Sequence, residues 1–249
     1  MSRVAVIGNS HLGALKRAWD SSAATRNPQF DLVFFGAPRR TALALRAVND
    51  VLATEDPSVL RALTLTSGMT DPIIRPADYD LIWLHGLIGL NWAVPQAIRL
   101  DMHSRSGGAR LSSSLLRDLF SQQYRESALH YLLQQIRAIS SVTVFVSPQP
   151  FLSEDSPYRK AHRGQTSPLA IQYEDRVRAE LEADALNYLP QNPLTVVDRC
   201  FTRACYSQAG ERLVDSASGG IADDVRHMNA DYGRIVINDF MRATRALGS

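Results

Sequence analysis

Two short stretches near opposite ends of the chain carry side chains that could perform nucleophilic chemistry. The first is GNSH (8–11), where Ser10 follows a run of small and β-branched apolar residues and precedes a helical pattern. The second is DDVRHMN (223–229), in which Asp224 and His227 are three residues apart. A serine hydroxyl is a poor nucleophile until a base takes its proton, and a histidine oriented by a carboxylate can be that base. The chemistry to consider is therefore that of a Ser-His-Asp triad.

The turn after the first predicted strand could instead bind a phosphate. A dinucleotide fingerprint reads G-x-G-x-x-G between a strand and a helix, and Gly8 and Gly13 occupy its first and third glycine positions. Ser10 stands at the middle position, where a side chain obstructs a pyrophosphate. The second predicted strand also ends in FFGAP (34–38), without the acidic residue that would hold a ribose. The residues therefore favour a nucleophile.

Each half of the proposed triad also has a simpler explanation. Ser10 could merely cap the helix that follows it, and an isolated Asp–His pair could be a surface hydrogen bond. His11, the neighbour of the serine, is expected to point away from it by about 100° around the helix. Catalysis is favoured because a serine turn follows the first strand while the Asp-x-x-His motif directly precedes the last predicted helix.

The elements that must position these residues are short apolar runs alternating with helical patterns. The runs that predict strands are RVAVIG (3–8), DLVFFG (31–36), DLIWLHG (80–86), VTVFVS (142–147) and LTVVD (194–198). The helical patterns cover 11–21, 40–53, 111–139, 168–186 and 229–246. The alternation predicts a doubly wound α/β fold, a flavodoxin-like three-layer α/β/α sandwich whose five-stranded parallel sheet has the order 2-1-3-4-5. Ligands of such sheets bind beyond the carboxyl ends of the strands, where Ser10 would lie.

Residues 1–249 are expected to form a single domain with loop insertions near 55–78 and 148–168. These stretches, and 101–110, are rich in Pro, Gly, Ser and charged residues, as loops are. The insertion at 148–168 is long enough to be a lid or a specificity loop. A solvated surface loop is the simpler expectation.

The composition excludes several classes of function. With 45% hydrophobic residues, 21% charged residues and a formal net charge of +2, the composition gives no argument for a basic patch that binds nucleic acid, and no nucleic-acid partner is expected. No apolar run suits a bilayer or a signal peptide, so a cytoplasmic protein that binds no membrane is expected. Cys200 and Cys205 are then reduced thiols. His103, His130 and His162 have no metal-ligand spacing with a cysteine or an acidic residue, so no metal is expected. A homo-oligomer is possible, although the sequence selects no face for it.

The two end motifs together resemble those of a known family. Gly8-Asn9-Ser10-His11 looks like the first block of the SGNH (GDSL-like) hydrolases, with Asn9 in place of a commoner aspartate. Asp224-Val225-Arg226-His227-Met228-Asn229 resembles their last block, D-x-x-H followed by x-N. The resemblance spans essentially the whole chain. It implies Ser10 as the nucleophile, His227 as the general base and acid, and Asp224 as the orienting carboxylate.

The resemblance also implies an oxyanion hole made of three donors. These are the backbone N–H of Ser10, a glycine after the second strand, matched by Gly36, and an asparagine after the third. Gly89-Leu90-Asn91 has the family's G-x-N spacing and makes Asn91 the predicted donor, whereas counting from Gly86 would place Ile88 there. Trp92 and His85 flank this region and are the candidate substrate-binding residues, with core packing as the alternative for both.

The function that the resemblance implies is hydrolysis of an acyl ester, without a metal or organic cofactor. The family includes esterases, lipases, thioesterases and carbohydrate O-acetylesterases, so the substrate is a small-molecule or carbohydrate ester, with O-acetyl as the first guess. The same triad would also suit an acyltransferase. A protein of another class, a non-catalytic module that binds a glycan or a nucleotide, could keep the fold.

Overall fold

A central parallel sheet organises the computed structural model of the protein, which describes residues 1–23, 27–37, 41–106, 111–162, 166–211 and 225–247. The strands are β1 (Ser2–Gly8), β2 (Phe30–Gly36), β3 (Arg46–Val48), β4 (Val51–Ala53), β5 (Leu81–His85), β6 (Thr143–Ser147), β7 (Asn187–Tyr188), β8 (Val196–Val197) and β9 (Phe201–Thr202). The α-helices are α1 (Leu12–Ala18), α2 (Pro57–Ser67), α3 (Leu90–Ser106), α4 (Ser113–Arg125), α5 (Ala128–Ile139), α6 (Pro157–His162), α7 (Thr166–Ala183) and α8 (Ala230–Leu247). A π-helical turn, Trp19–Ala23, continues α1.

The main sheet has the strand order β2-β1-β5-β6-β7, with every neighbouring pair parallel. Counted along the chain within this sheet, the order is 2-1-3-4-5, so the predicted topology is confirmed. The register aligns the carboxyl ends of the strands. Gly8 lies opposite both Gly36 and His85, and His85 lies opposite Ser147. Ser10 follows the strand β1 at this edge of the sheet.

Alternate residues of the buried strands supply two cores, which gives the three predicted layers. On one face, Val4, Val6, Trp83 and Phe145 pack with α1 and α8, and the Trp83 ring stacks on that of Phe240 with centroids 4.2 Å apart. On the other face, Ala5, Ile7, Ile82, Leu84, Val144 and Val146 pack with α2, α3, α4, α5 and α7. The helices α1 and α8, which bound the candidate site, therefore share one layer.

Two predicted elements are wrong. The run 194–198 does not join the main sheet, because Val196–Val197 pairs antiparallel with Phe201–Thr202, and the fifth strand is Asn187–Tyr188. The predicted helix at 40–53 is instead a 3-10 turn followed by the β3–β4 hairpin. Asn49 and Asp50, the two residues at the tip of this hairpin, both have positive φ, which matches the twist of a tight hairpin turn.

The predicted loops are more ordered than expected. The stretch 55–78 contains α2, and the helix α3 extends to Ser106 within the predicted loop 101–110. In the stretch 148–168, α6 covers Pro157–His162, and the side chains of Phe151, Ser153 and Ser156 are buried. The first half of this stretch is therefore not the solvated surface loop that was the simpler expectation. None of the helices in the described ranges is both long and apolar enough to cross a membrane.

Candidate functional site

The turn that carries Ser10 is fixed by its neighbour Asn9. The Asn9 Oδ1 accepts the backbone N–H of His11 at 3.0 Å, and the Asn9 Nδ2 donates to the carbonyl oxygen of Gly86 at 2.5 Å. The first of these bonds tightens the turn before α1. The second fastens the turn to the chain just beyond β5, so that Ser10 is presented at the carboxyl edge of the sheet.

Gly86 is suited to this junction in two ways. Its φ of +75° lies in the left-handed region, where a side chain is strained. A Cβ carbon at this position would also lie 2.8 Å from the Asn9 Oδ1 and 3.2 Å from the His11 Cβ. The absence of a side chain at Gly86 therefore lets the Ser10 turn approach β5 closely.

The structure brings Ser10 and His227 together. The Ser10 Oγ lies 3.0 Å from the His227 Nε2, within hydrogen-bond distance, and both side chains are partly exposed to solvent. With the imidazole proton on Nδ1, Nε2 accepts the hydroxyl hydrogen, which is the geometry needed for a base that activates a nucleophile. The two residues are 217 positions apart in the chain.

Backbone hydrogen bonds hold the segment that carries His227. The carbonyl oxygen of Val225 accepts the N–H of Ser153 at 2.9 Å, and the N–H of Asn229 donates to the carbonyl oxygen of Tyr206 at 2.7 Å. These bonds lie two residues before and two residues after the histidine. The buried stretch around Ser153, predicted as part of a loop insertion, thus supports one half of the site.

The side chain of Asn229 ties the same segment to α8. Its Nδ2 donates to the carbonyl oxygen of Cys205 at 2.8 Å, while its Oδ1 accepts the N–H of Tyr232 in the first turn of the helix at 3.2 Å. This is the arrangement of a helix N-cap. Asn229 therefore couples the position of His227 to the start of α8.

A close crossing of α1 and α8 sets the distance between the two halves of the site. Gly233 lies against the backbone of Ala14, and a Cβ carbon there would fall 2.5 Å from the Ala14 carbonyl carbon and still closer to its oxygen. The helices can approach this closely only because position 233 has no side chain. Since Ser10 precedes α1 and His227 precedes α8, the crossing places the hydroxyl beside the imidazole.

The third predicted member of the triad, Asp224, lies outside the described residues. Its role as the orienting carboxylate therefore stays a prediction. His227 follows it by three residues and is the part of the D-x-x-H motif whose position is described.

The predicted oxyanion donors differ in their hydrogen bonding. Within the described ranges, no acceptor is found for the backbone N–H of Ser10. The N–H of Gly36 instead donates to the Oγ1 of Thr66 at 3.1 Å, and both residues are buried. The Nδ2 of Asn91 is directed to the carbonyl oxygen of Pro150 at 3.4 Å. Within these ranges the Ser10 N–H is uncommitted and the Gly36 N–H is not, while the Asn91 amide carries a second hydrogen beyond the one directed to Pro150. The roles of Gly36 and Asn91 stay predictions.

His85 lies in the core rather than at an open surface. Its side chain is 1% exposed, and its Nδ1 lies 2.7 Å from the Oγ of Ser147, which also accepts the Trp83 Nε1–H at 2.8 Å. Burial lowers the pKa of His85 to about 3, because a charged imidazole would lose its hydration there. This environment favours the core-packing alternative for His85. The side chain of Trp92, the other candidate substrate-binding residue, lies outside the described part of the structure.

His11 makes a contact that sequence reasoning missed. Its buried ring stacks on the ring of His227, with centroids 5.1 Å apart and an angle of 25° between the planes. The sequence-based expectation counted His11 as a helix residue, whereas α1 begins one residue later, at Leu12. The signal that could have revealed this contact is the position of His11 directly after the candidate nucleophile Ser10.

Comparisons with known proteins add a likeness in fold. No family model and no curated protein matches the sequence. A solved GDSL-like lipase from Bacteroides thetaiotaomicron is 11% identical with a TM-score of 0.49, over 100% of this chain and 89% of that one. A carbohydrate acetylesterase from Sinorhizobium meliloti is 12% identical with a TM-score of 0.46, over 98% and 99%. The periplasmic domain of a lipopolysaccharide acetyltransferase from Salmonella ser. Paratyphi A is 12% identical with a TM-score of 0.45, over 98% and 83%. At these identities and TM-scores, the likeness assigns no substrate.

Proposed function

We propose that the protein is a serine hydrolase that cleaves acyl esters. The observation that carries the proposal is the 3.0 Å separation of the Ser10 Oγ from the His227 Nε2 at the carboxyl edge of the sheet. The N–H of Ser10, for which the described part of the chain offers no acceptor, supports it as a donor beside the position where negative charge develops on the substrate carbonyl.

In the proposed mechanism, the Ser10 Oγ attacks the ester carbonyl carbon while the His227 Nε2 takes the hydroxyl proton. The carbonyl oxygen becomes an oxyanion, to which the Ser10 N–H donates. His227 then gives its proton to the leaving alkoxide, which departs as an alcohol and leaves an acyl-serine. A water molecule, deprotonated by the same imidazole, attacks the acyl carbonyl carbon. The imidazolium then gives that proton to the departing Ser10 Oγ, which frees the carboxylic acid and restores the serine. Asp224 is proposed to hold the imidazole proton on Nδ1 during both steps.

The substrate class proposed is a short acyl ester, and O-acetyl esters of carbohydrates are the first to test. An acyltransferase would use the same first half of the reaction and replace water by an alcohol acceptor. Adding glycerol or a sugar as acceptor separates the two activities, because a hydrolase releases the free acid in both cases whereas a transferase produces a new ester.

Labelling with a fluorophosphonate tests the proposal without knowledge of the substrate. Such a probe forms a stable adduct with a serine that a base has activated, and peptide mapping then identifies the modified residue. We expect an adduct on Ser10 in the folded protein, its loss in Ser10→Ala and His227→Ala, and no adduct after thermal unfolding. Thermal melts of the two variants are the control for folding. A folded protein in which Ser10 stays unlabelled would contradict the proposal.

A further inference from the structure

The backbone anchors of the His227 segment leave the plane of the imidazole unfixed. Hydrogen bonds at Val225 and Asn229 place the Cα of His227. The χ2 torsion of a histidine, however, has broad minima and allows the ring to turn about its Cβ–Cγ bond. A turn of the ring would carry Nε2 away from the Ser10 Oγ. Contacts with the ring itself, among them the proposed bond of Asp224 to Nδ1, must therefore select the orientation in which the Ser10 Oγ and the His227 Nε2 lie 3.0 Å apart.

The ring of His11 supplies a flat surface in contact with the His227 ring. The two planes are within 25° of parallel, and their centroids are 5.1 Å apart, within the range of offset aromatic stacking. A His227 ring rotated about χ2 would lose this parallel contact, so the stack favours one ring plane over the others.

His11 is itself held firmly enough to serve as such a surface. Its side chain is 6% exposed, and its backbone N–H donates to the Asn9 Oδ1. Its Cβ lies close to Gly86, where an added Cβ carbon would be 3.2 Å away. Because the residue is anchored at its backbone N–H and its side chain is buried, its ring offers His227 a support of fixed position.

We propose that His11 is a positioning residue, whose ring holds the plane of the His227 imidazole so that Nε2 faces the Ser10 hydroxyl. The role in turnover rests on the proposed function, whereas the effect on the ring of His227 does not. His11 acts through His227 and takes no proton from the substrate. The flat face of the ring, rather than its nitrogen atoms, performs this function.

The test compares three substitutions at position 11. His11→Phe keeps a flat ring on the same Cβ, His11→Leu keeps apolar bulk without a flat face, and His11→Ala removes both. We expect the kcat of His11→Phe for hydrolysis of a short acyl ester to stay within about twofold of the wild-type value. We expect His11→Leu and His11→Ala to lower kcat about fivefold with KM unchanged, which is the rate equivalent of one aromatic contact of ordinary strength. The rate of fluorophosphonate labelling at Ser10 should follow the same order.

A spectroscopic measurement separates this inference from the proposed function. In protein labelled with ¹⁵N at histidine, the ring protons of His227 should move to lower field in His11→Leu, because the ring current of the stacked neighbour is lost, and should stay near their wild-type position in His11→Phe. Thermal melts report whether each variant is folded.

The labelling and NMR measurements together distinguish failure of the positioning role from failure of the hydrolase proposal. If the wild-type protein is not labelled but the ring protons shift as expected, the positioning role stands and the hydrolase proposal fails. If the wild type is labelled and His11→Leu matches it in kcat and in ring-proton shifts, the positioning role is refuted. Equal loss in His11→Phe and His11→Ala would also refute it, since the flat face would then not be what matters.

Discussion

Replacing Gly233 by alanine should move Ser10 and His227 apart without altering either residue. The added methyl carbon would start 2.5 Å from the Ala14 carbonyl carbon, whereas two carbon atoms in contact are about 3.5 Å apart. Both partners in the clash are helix backbone, so no side chain can turn away. We therefore expect α1 and α8 to separate by about 1 Å, the difference between these two distances.

This separation should lower both the stability of the protein and the reactivity of Ser10, the reactivity more strongly. Overpacking of this kind costs about 2 kcal/mol, which lowers Tm by about 4–8 °C in a chain of this size. Because His227 lies three residues before α8, a displacement of about 1 Å stretches its hydrogen bond to Ser10 beyond the range of a good contact. A displacement of that size can lower kcat about 100-fold, and we expect fluorophosphonate labelling of Ser10 to slow in proportion.

Gly68 offers a matched control in the same chain. Its φ is +73° and nothing lies within 4 Å of an added Cβ, so Gly68→Ala introduces backbone strain at the end of α2 without a clash. We expect it to cost about 1 kcal/mol and to leave the labelling rate unchanged. Wild-type reactivity in Gly233→Ala would refute the argument from the helix crossing. An equal loss of reactivity in Gly68→Ala would show that instability alone explains the effect.

Three further predictions follow from single contacts. Burial lowers the pKa of His85 to about 3, so between pH 6.5 and 3 the unfolded chain binds a proton that the folded protein does not. The free energy of unfolding should therefore decrease as the pH is lowered from 6.5 to 3. Urea titrations at several pH values should show a decrease that is up to about 1.4 kcal/mol per pH unit larger in the wild type than in His85→Gln. Asn9→Ala should slow labelling of Ser10 about tenfold, because the turn loses its bond to Gly86, and a labelling rate equal to wild type would count against that anchoring. Asn229→Ala should lower Tm by about 2–4 °C through loss of the α8 cap, and an unchanged melt would mean that solvent replaces the cap fully.

The first four strands of the sheet were predictable because each is a nearly continuous apolar run buried on both faces. The fifth was not, because Asn187–Tyr188 is a two-residue edge strand and is too short to carry a pattern, whereas the stronger apolar run at 194–198 pairs elsewhere. Tertiary pairing, rather than local preference, decided between them. The hairpin over 46–53 was mistaken for a helix because the apolar residues on both sides of its turn, Asn49 and Asp50, also fit a helical period.

One missed helix did carry a readable signal. Asp56-Pro57 places a capping residue before a proline at the first helical position, and Gly68 ends α2 in the left-handed conformation. The Asp56 side chain accepts the hydroxyl hydrogen of Ser58 and the backbone N–H groups of Ser58 and Val59, and these bonds lower its pKa. The composition of 55–78, rich in Pro and Ser, concealed this pattern.

The proximity of Ser10 and His227 was predictable only from the paired motifs and their places beside the first and last helices. Nothing local at either residue encodes a contact across 217 positions. The hydrogen bond between Gly36 and Thr66 could not be predicted either, because Thr66 lies on α2, in a stretch whose composition indicates a loop. The stack of His11 on His227 depends on where the segment before α8 places the imidazole, which no residue near position 11 encodes.

The 217-residue separation also has a consequence for the order in which the molecule is built. Closing a flexible loop of that length costs about 5 kcal/mol of chain entropy, a cost that is met only when the intervening strands and helices already hold the two ends near each other. We therefore expect the reactive pair to form among the last events of folding, after the sheet and after α8 docks on α1. Ser10 on a partly synthesised chain would be an ordinary serine. Fluorophosphonate labelling of Ser10 during refolding would then report the final step, and we expect it to appear later than the recovery of helical circular dichroism.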